Sequence, residues 1–228
     1  MSDTNESAPQ PRYVEDAPQA VLAAAKAMLR KGLVEGTAGN ISARQKDGTV
    51  VITPSSLDYE AMTLEDLVVI DLDGNTVSSP NERYPSSEKP LHLGALRAYP
   101  EIGSVIHSHA IYATMFAVAR RDIPACIDEF SVYVGGDVRC AEYAASGEQA
   151  LADNVVKALE GRGAALVANH GMVAVGPNPD KAMHITALVE RSAQIVWGAL
   201  QLGAAVPIPE EVNKSMGGIY QYLRKNPM

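Results

Sequence analysis

Two histidines separated by one residue, His107 and His109, stand at the end of an apolar stretch of this 228-residue chain. Side chains two positions apart in a strand point to the same side, so both imidazoles can face one metal ion. Alternatively, one ring hydrogen-bonds a backbone carbonyl while the other lies at a sheet edge. His170 supplies a third imidazole from a segment that would serve equally well as a plain hairpin turn. Three protein nitrogens with one open position are typical of a catalytic zinc site, so the three histidines are a candidate metal centre.

Glu88, in the segment Ser86-Ser87-Glu88, is a candidate carboxylate for the same chemistry. Spacing alone favours a structural role, because a Glu shortly after a Ser is a common helix start. The functional interpretation is a carboxylate that contacts the metal and acts as a base once substrate has displaced it. Of the two remaining histidines, His92 is interpreted as a core residue, with support of the site residues as the alternative, and His184 is interpreted as structural.

Three short segments are rich in hydroxyl groups and free backbone amides. They are Gly36 to Asn40, Thr53 to Ser56, and Ser86-Ser87. Such loops, like helix N-termini, can hold a phosphate group without any lysine, although each is also typical of an ordinary turn. Because local dipoles do the binding, an acidic protein can bind phosphate in this way.

The composition excludes several classes of protein. The net charge is −8, from 19 basic and 27 acidic residues, and no basic block is present for a nucleic acid. Two cysteines, Cys126 and Cys140, are too few for a disulfide framework or a four-cysteine zinc site. No apolar run approaches the roughly 18 residues that span a bilayer, and the polar, acidic N-terminus is unlike a secretory signal. We therefore expect a soluble, cytoplasmic protein without nucleic-acid or membrane partners.

The elements that must position these residues are short strands mixed with helices. Residues 1–15 lack apolar periodicity and are predicted to form a disordered arm, followed by one α/β domain over residues 16–228. The segment from Gly36 to Ser42 is predicted to be a loop. Sequence patterns predict strands at residues 49–53, 67–71 and 103–109 and a hairpin at 163–176. They also predict three helices, from Asp16 to Gly32, from Ser86 or Ser87 to about Tyr99, and, as the last helix, from Asn178 onward.

Five segments in a fixed order carry a resemblance to a known family. The order is GTAGNIS, ITPSS, SSE, HSH and NHG, and it resembles the class II aldolase/adducin family over residues 17–202, most of all its sugar-phosphate aldolases. The family fold is a three-layer α/β/α sandwich on a largely antiparallel central sheet. The resemblance further implies a homotetramer with active sites between subunits.

The resemblance also assigns roles to residues. It implies metal ligation by His107, His109 and His170, with Glu88 as the acid/base that can also contact the metal. The metal is expected to be Zn²⁺, with Mn²⁺ or Co²⁺ as alternatives that imidazole ligands also suit. The family's C-terminal tyrosine matches Tyr222, with Tyr220 as the alternative. The phosphate of a sugar substrate is expected to be held by Gly39, Asn40, Ser55, Ser56, Ser86 and Ser87.

The implied reaction is retro-aldol cleavage of a (deoxy)ketose 1-phosphate, such as L-fuculose 1-phosphate, into dihydroxyacetone phosphate and a short aldehyde. A second family tyrosine, which follows an Ile-Pro-Ala segment, is replaced here by an acid at Asp128 or Glu129, with Tyr133 nearby. A sugar-phosphate 4-epimerase, a metal-dependent decarboxylase or dehydratase, and a non-catalytic adducin-like interaction module are the alternatives. Related epimerases usually carry an aspartate at the position of Glu88, so the glutamate favours an aldolase, and the intact histidine set argues against the non-catalytic module.

Overall fold

An eight-stranded sheet forms the centre of the computed structural model, which describes residues 10–226. The strand order is β4-β3-β2-β1-β5-β8-β7-β6, and only β6 and β7 pair in parallel. The predicted largely antiparallel sheet is therefore confirmed. The strands are Asn40–Arg44 (β1), Val50–Ile52 (β2), Val68–Ile70 (β3), Thr76–Ser78 (β4), Ser104–Ser108 (β5), Arg139–Ala141 (β6), Ala164–Val167 (β7) and Gly171–Gly176 (β8).

Helices cover both faces of this sheet. In the described residues they are Ala17–Arg30 (α1), Lys89–Ala98 (α2), Ile111–Ala119 (α3), Asp128–Val134 (α4), Gln149–Ala158 (α5), Pro179–Gln201 (α6) and Glu210–Lys225 (α7). One hydrophobic core lies on the side of α1, α3, α4 and α6, and a second core lies on the side of α2 and α5. Successive side chains of β5 point to opposite faces of the sheet, so Ile106 lies in the first core and Val105 in the second. The expected three-layer α/β/α architecture is thus the observed one.

The central strands fix the register on which the candidate site depends. His107 in β5 lies opposite Asn40 in β1 and opposite Val173 in β8. Fully buried aliphatic residues flank this point on both faces, and burial of each such side chain contributes about 1.5–3 kcal/mol to folding. The end of β5 therefore lies in the middle of a rigid sheet rather than on a mobile loop.

The predicted strands, the hairpin and the three predicted helix starts agree with the structure to within a few residues. Asn178 caps α6 as expected, since its side-chain oxygen accepts from the Lys181 N–H at 2.9 Å. Asp16 precedes α1, but its backbone is left-handed (φ 48°) and its side chain makes no cap hydrogen bond. Gly32 ends the same helix region with φ 67°.

Two of our expectations about the elements are wrong. The segment from Gly36 to Ser42 is not a loop throughout, because Asn40 to Ser42 form the start of β1. The helix after Asn178 is not the last one, since α7 follows it. A Gly pair in the interior of α7, Gly217-Gly218, lowers its helix propensity, and packing against α4 supplies the stability that propensity does not.

Part of the predicted N-terminal arm, residues 1–9, lies outside the described residues. Within residues 10–15 the backbone makes two hydrogen bonds to the rest of the fold. The Arg12 N–H donates to the Pro100 carbonyl in the turn before β5 at 2.7 Å, and the Val14 N–H donates to the Arg44 carbonyl in β1 at 2.8 Å. Among the residues that the structure describes, no helix combines the length and apolar character needed to cross a membrane.

Candidate metal centre and active site

The three candidate histidines converge where β5 and β8 meet. His107 is the next-to-last residue of β5, His109 follows the strand, and His170 lies in the turn that leads into β8. One nitrogen from each ring lies within 4.8 Å of the other two. The ring centroids are 4.7–4.9 Å apart and the planes cross at 68–74°, so each ring presents an edge to the other two.

Hydrogen bonding fixes which nitrogen of His107 faces this cluster. The Nδ1–H donates to the Met172 carbonyl at 2.9 Å, which leaves a lone pair on Nε2 in the neutral ring. That Nε2 lies 2.9 Å from His109 Nε2 and 3.2 Å from a Glu88 carboxylate oxygen. Nitrogens that share one zinc ion lie about 3–3.5 Å apart, because each Zn–N bond is about 2.0–2.1 Å. Converging lone pairs at these distances repel unless a cation lies between them, so the donor set fits a metal ion.

Glu88 closes the cluster. It occupies the N-cap position of α2, but its side chain makes no cap hydrogen bond, so a capping role does not account for this carboxylate. Its two carboxylate oxygens instead lie 3.2 Å from His107 Nε2 and 3.3 Å from His170 Nε2. The Asn40 amide donates to one oxygen at 2.8 Å, and the Ser146 hydroxyl donates to the other at 2.9 Å. Glu88 is therefore held in place by two donors while facing the histidines.

The electrostatics give each group the charge that metal binding requires. Burial is the main cause that lowers the pKa of His107 and of His109 below the ordinary histidine value, so both rings are neutral at pH 7. Burial raises the pKa of Glu88, but its interaction with the His107 ring and the hydrogen bond from the Asn40 amide lower it by more, so the carboxyl is ionised at pH 7. Neutral imidazoles and an anionic carboxylate are the ligand forms that bind divalent metals.

Glycine is required at two positions beside the histidines. Gly39 has φ 75°, and a Cβ there would lie 2.7 Å from a Val34 methyl and 2.8 Å from the His107 carbonyl. Gly171 has no room for a Cβ, because that atom would collide with the Ser108 carbonyl and lie 3.0 Å from His109 Cδ2. These two residues let the neighbouring chain segments approach the histidines closely.

The three predicted phosphate-binding segments converge on the same end of the sheet. Thr53 joins the first segment to the second, since its N–H donates to the Ile41 carbonyl and its hydroxyl accepts from the Ile41 N–H. The Ser86 N–H donates to the Thr53 carbonyl at 3.1 Å, and the Ser55 hydroxyl donates to the Pro85 carbonyl at 3.0 Å. These contacts join the start of β1 to the chain around Ser55 and to the chain around Ser86. Asn40 also contacts Glu88, two residues after Ser86.

Ser146 is a site residue that the sequence analysis did not identify. It lies in the loop before α5, and its hydroxyl donates to Glu88 from 58 positions further along the chain. A Ser-Gly pair in a polar loop carries no spacing signal that would distinguish it from a plain turn. Asn40, predicted only as a phosphate ligand, also contacts Glu88 directly, and its side-chain oxygen contacts His92 at 2.5 Å.

The C-terminal tyrosine candidates lie away from this cluster in the chain. Tyr220 is buried against Gly135 and Gly163, at the opposite end of the β7–β8 hairpin from His170, and β7 alone separates these ends by roughly 13 Å. Tyr222 is 66% exposed.

Asp128 and Glu129 are exposed in the first turn of α4, and the half-exposed Tyr133 packs edge-on against His184 at 5.0 Å. Within the described residues, no hydrogen bond joins any of these side chains to the histidines.

Comparison with known proteins agrees with this architecture. A family model described as Class II Aldolase and Adducin N-terminal domain matches residues 19–197. The solved structure of an L-fuculose 1-phosphate aldolase superposes with a TM-score of 0.86 at 36% identity, covering 92% of this chain and 98% of that one. The family match and the fold thus indicate a lyase, in the class of metal-dependent aldolases. The chain belongs to the class II aldolase/adducin family.

Curated relatives carry more than one activity. The L-fuculose phosphate aldolase of Escherichia coli is 36% identical over 181 residues, which cover 79% of this chain and 82% of the relative. A 5-methylthioribulose-1-phosphate/5-deoxyribulose-1-phosphate aldolase of Rhodospirillum rubrum is 37% identical over 188 residues, 82% of this chain and 83% of the relative. An L-ribulose-5-phosphate 4-epimerase of Salmonella paratyphi B is 35% identical over 191 residues, 78% and 82% of the two chains. Similarity therefore leaves several sugar phosphates as candidate substrates.

Proposed function

We propose that this enzyme cleaves a (deoxy)ketose 1-phosphate, such as L-fuculose 1-phosphate, into dihydroxyacetone phosphate and a short aldehyde. The observation that carries the proposal is the position of Glu88. Its carboxylate lies 3.2 Å and 3.3 Å from two of three clustered imidazoles and two residues from Ser86 in the third phosphate-type segment. A base beside both a metal centre and a phosphate site is the arrangement that aldol chemistry on a sugar phosphate needs.

His107, His109 and His170 would hold the divalent ion, with Glu88 as a further ligand before substrate binds. Such an ion, when bound, supplies Lewis-acid stabilisation of the negative charge that develops on substrate oxygens. We propose Zn²⁺ because three imidazoles with an open position suit it, although imidazoles also suit Mn²⁺ and Co²⁺.

The phosphate-type segments would orient the substrate. The exposed Ser55, Ser56 and Ser87 offer hydroxyls at the rim, and free N–H groups of the same turns supply dipoles that favour an anion. Ser86 is buried, and its hydroxyl accepts from the Glu88 N–H at 3.2 Å. Binding phosphate at this segment therefore places the carbon chain of the sugar next to Glu88.

Glu88 would carry the proton at the reacting carbon. In the direction of synthesis the ionised carboxylate removes a proton from the carbon of dihydroxyacetone phosphate that forms the new bond. In cleavage the C4 hydroxyl gives up its proton as the C3–C4 bond breaks and the aldehyde carbonyl forms. Glu88 would take up a proton at this step and deliver it to C3, so that the protons balance. The hydrogen bonds from Asn40 and Ser146 keep the carboxylate aimed at this position.

We also propose a cytoplasmic homotetramer in which a neighbouring copy completes the site. Support comes from α3, which begins two residues after His109 and exposes an apolar row on one face. Ile111, Met115 and Val118 in this row are 61%, 44% and 57% exposed, and exposed apolar patches mark contact surfaces. Tyr222, exposed on α7, would enter the site of a neighbouring copy as a catalytic residue.

A coupled assay for dihydroxyacetone phosphate tests the proposed reaction. Metal-loaded protein is offered fuculose 1-phosphate, rhamnulose 1-phosphate and 5-deoxyribulose 1-phosphate, with ribulose 5-phosphate assayed separately for epimerisation. We expect release from at least one 1-phosphate, loss of that release with a chelator, and recovery with Zn²⁺. The ranking of rates then identifies the substrate.

Epimerisation is the second candidate, supported by the 35% identical epimerase relative. Conversion of ribulose 5-phosphate without release of dihydroxyacetone phosphate from any 1-phosphate would replace the aldolase proposal. If neither reaction occurs in protein that holds metal, a decarboxylase or dehydratase becomes the better candidate, and Asp128 and Glu129 would be the residues to substitute next.

A further inference from the structure

A buried line of hydrogen bonds runs from the sheet to Glu88. The Ser42 hydroxyl contacts His92 Nδ1 at 2.8 Å, His92 Nε2 contacts the Asn40 side-chain oxygen at 2.5 Å, and the Asn40 amide nitrogen contacts Glu88 at 2.8 Å. Ser42 and His92 have no exposed surface, and Asn40 is 5% exposed. The sequence favours a core role for His92, yet each of its two ring nitrogens makes a hydrogen bond in this line.

Only one polarity satisfies every group in the line. An ionised carboxylate only accepts hydrogen bonds, so the NH₂ of Asn40 must face Glu88 and its oxygen must face His92. The His92 Nε2 must then carry the proton, and Nδ1 must accept from the Ser42 hydroxyl. If the Asn40 amide were flipped, its oxygen would face the Glu88 carboxylate and its NH₂ would face the His92 donor. Both contacts would be repulsive in a buried environment.

We propose that His92 is a positioning residue that acts on Glu88 through Asn40. By donating from Nε2 to the Asn40 oxygen, His92 fixes the orientation of the amide and thereby keeps a donor directed at the Glu88 carboxylate. Burial holds His92 in the neutral form, since it lowers the pKa of this ring to about 3. His107 has the opposite proton arrangement, with Nδ1–H donated to Met172. Two buried histidines of one site are thus assigned opposite tautomers.

The tautomers can be measured without any assumption about the reaction. We would record long-range ¹H–¹⁵N spectra of protein labelled with ¹⁵N-histidine at pH 7.5, with and without Zn²⁺, and assign the rings with single His→Gln variants. We expect His92 as a neutral ring protonated on Nε2 and His107 as a neutral ring protonated on Nδ1. A His92 ring protonated on Nδ1, or doubly protonated, would overturn the proposal even if the protein proved to be an active aldolase.

The kinetic consequence rests on the proposed function and is tested with a pair of variants. His92→Gln keeps an N–H that can reach the Asn40 oxygen, whereas His92→Leu has a similar volume and no donor. We expect kcat to fall about 10–100-fold in His92→Leu, the usual effect of losing a group that orients a site residue, with the bound metal unchanged. His92→Gln is expected to recover kcat to within a few-fold of the parent protein.

Thr186→Val is the matched control, because Thr186 is equally buried and its hydroxyl donates within α6, to the Ala182 carbonyl at 2.9 Å. We expect this variant to lose stability without losing kcat. Equal loss of kcat in His92→Gln and His92→Leu, or full kcat in His92→Leu, would overturn the proposal. If no substrate is turned over by the parent protein, the proposed function has failed, and the spectra alone decide on the His92 line.

Discussion

Replacing Glu88 by Gln is the sharpest test of the role given to this carboxylate. The side chain keeps its shape and loses its charge and its basicity. Glu88 accepts from Asn40 at 2.8 Å and from Ser146 at 2.9 Å. A glutamine can place its oxygen toward Asn40 and its NH₂ toward Ser146, because a hydroxyl can rotate to accept. We therefore expect the variant to fold with the parent stability to within about 1 kcal/mol.

The catalytic effect follows from what the amide cannot do. It cannot take or return a proton at the reacting carbon, and a general base is worth about 10²–10⁴-fold in rate. This factor corresponds to about 2.7–5.4 kcal/mol of lost transition-state stabilisation. The three imidazoles remain, so the metal is expected to stay bound, with the nitrogens still within 4.8 Å of one another.

The assay is release of dihydroxyacetone phosphate, measured with metal content on the same preparation. Glu211→Gln is the matched control, since Glu211 is exposed in the first turn of α7 and undergoes the same chemical change. We expect full activity in the control and a 10²–10⁴-fold lower kcat in Glu88→Gln at equal metal content. Parent-level activity in Glu88→Gln would refute the assignment of Glu88 as the proton carrier.

Three further outcomes are expected. His107→Ala should lose bound metal and activity together, as measured by elemental analysis and the coupled assay, and an active variant that still holds metal would contradict the site. Gly171→Ala should lower the free energy of unfolding by about 1–3 kcal/mol in urea and weaken binding of a divalent metal, because a Cβ there collides with the Ser108 carbonyl. An unchanged free energy of unfolding and unchanged metal affinity would contradict this. Asp66 is buried and accepts hydrogen bonds from the Asn81 side chain and the Thr63 N–H, which hold its pKa well below the usual range. Its contribution to the free energy of unfolding is therefore fully present above the unfolded pKa near 4 and is lost as the pH falls below that value. Asp66→Asn should therefore lower the free energy of unfolding by about 1–3 kcal/mol at pH 7, and this free energy, measured in urea, should fall less than the parent's as the pH is lowered. A variant whose free energy of unfolding has the parent's pH dependence would contradict this.

Much of the fold could be predicted from local patterns. The continuous apolar, β-branched runs at 49–53 and 67–71 correspond to β2 and β3, and the 163–176 segment is the predicted hairpin. Asn178 caps α6 as its position before a proline indicates. These features depend on backbone preferences and on periodicity within a few residues, which the sequence displays directly. The helix α7 could not be predicted in this way, because its stability comes from packing against α4.

The clustering of the candidate metal-binding groups also follows in part from the sequence. The spacing of His107 and His109 places both rings on one side of β5, and no other fold element is needed for that inference. The arrival of His170 and Glu88 at the same point depends on the strand order, which brings β8 beside β5 and places the start of α2 over them. Spacing around Glu88 favoured a helix cap, since a carboxylate near a helix start satisfies the same local rules in either role.

Residue types and their local spacing determined the elements, the paired histidines and the candidate anion-binding loops. Only the tertiary structure decided which groups hold Glu88. Its partners Asn40 and Ser146 lie 48 and 58 positions away in the chain, and His92 acts on it only through Asn40. The tertiary structure likewise buried Tyr220 and left Tyr222 exposed, although the two are nearly adjacent on α7. The physical reason is that a buried polar group must find its partners wherever packing brings them, and no local rule records such long-range hydrogen bonds.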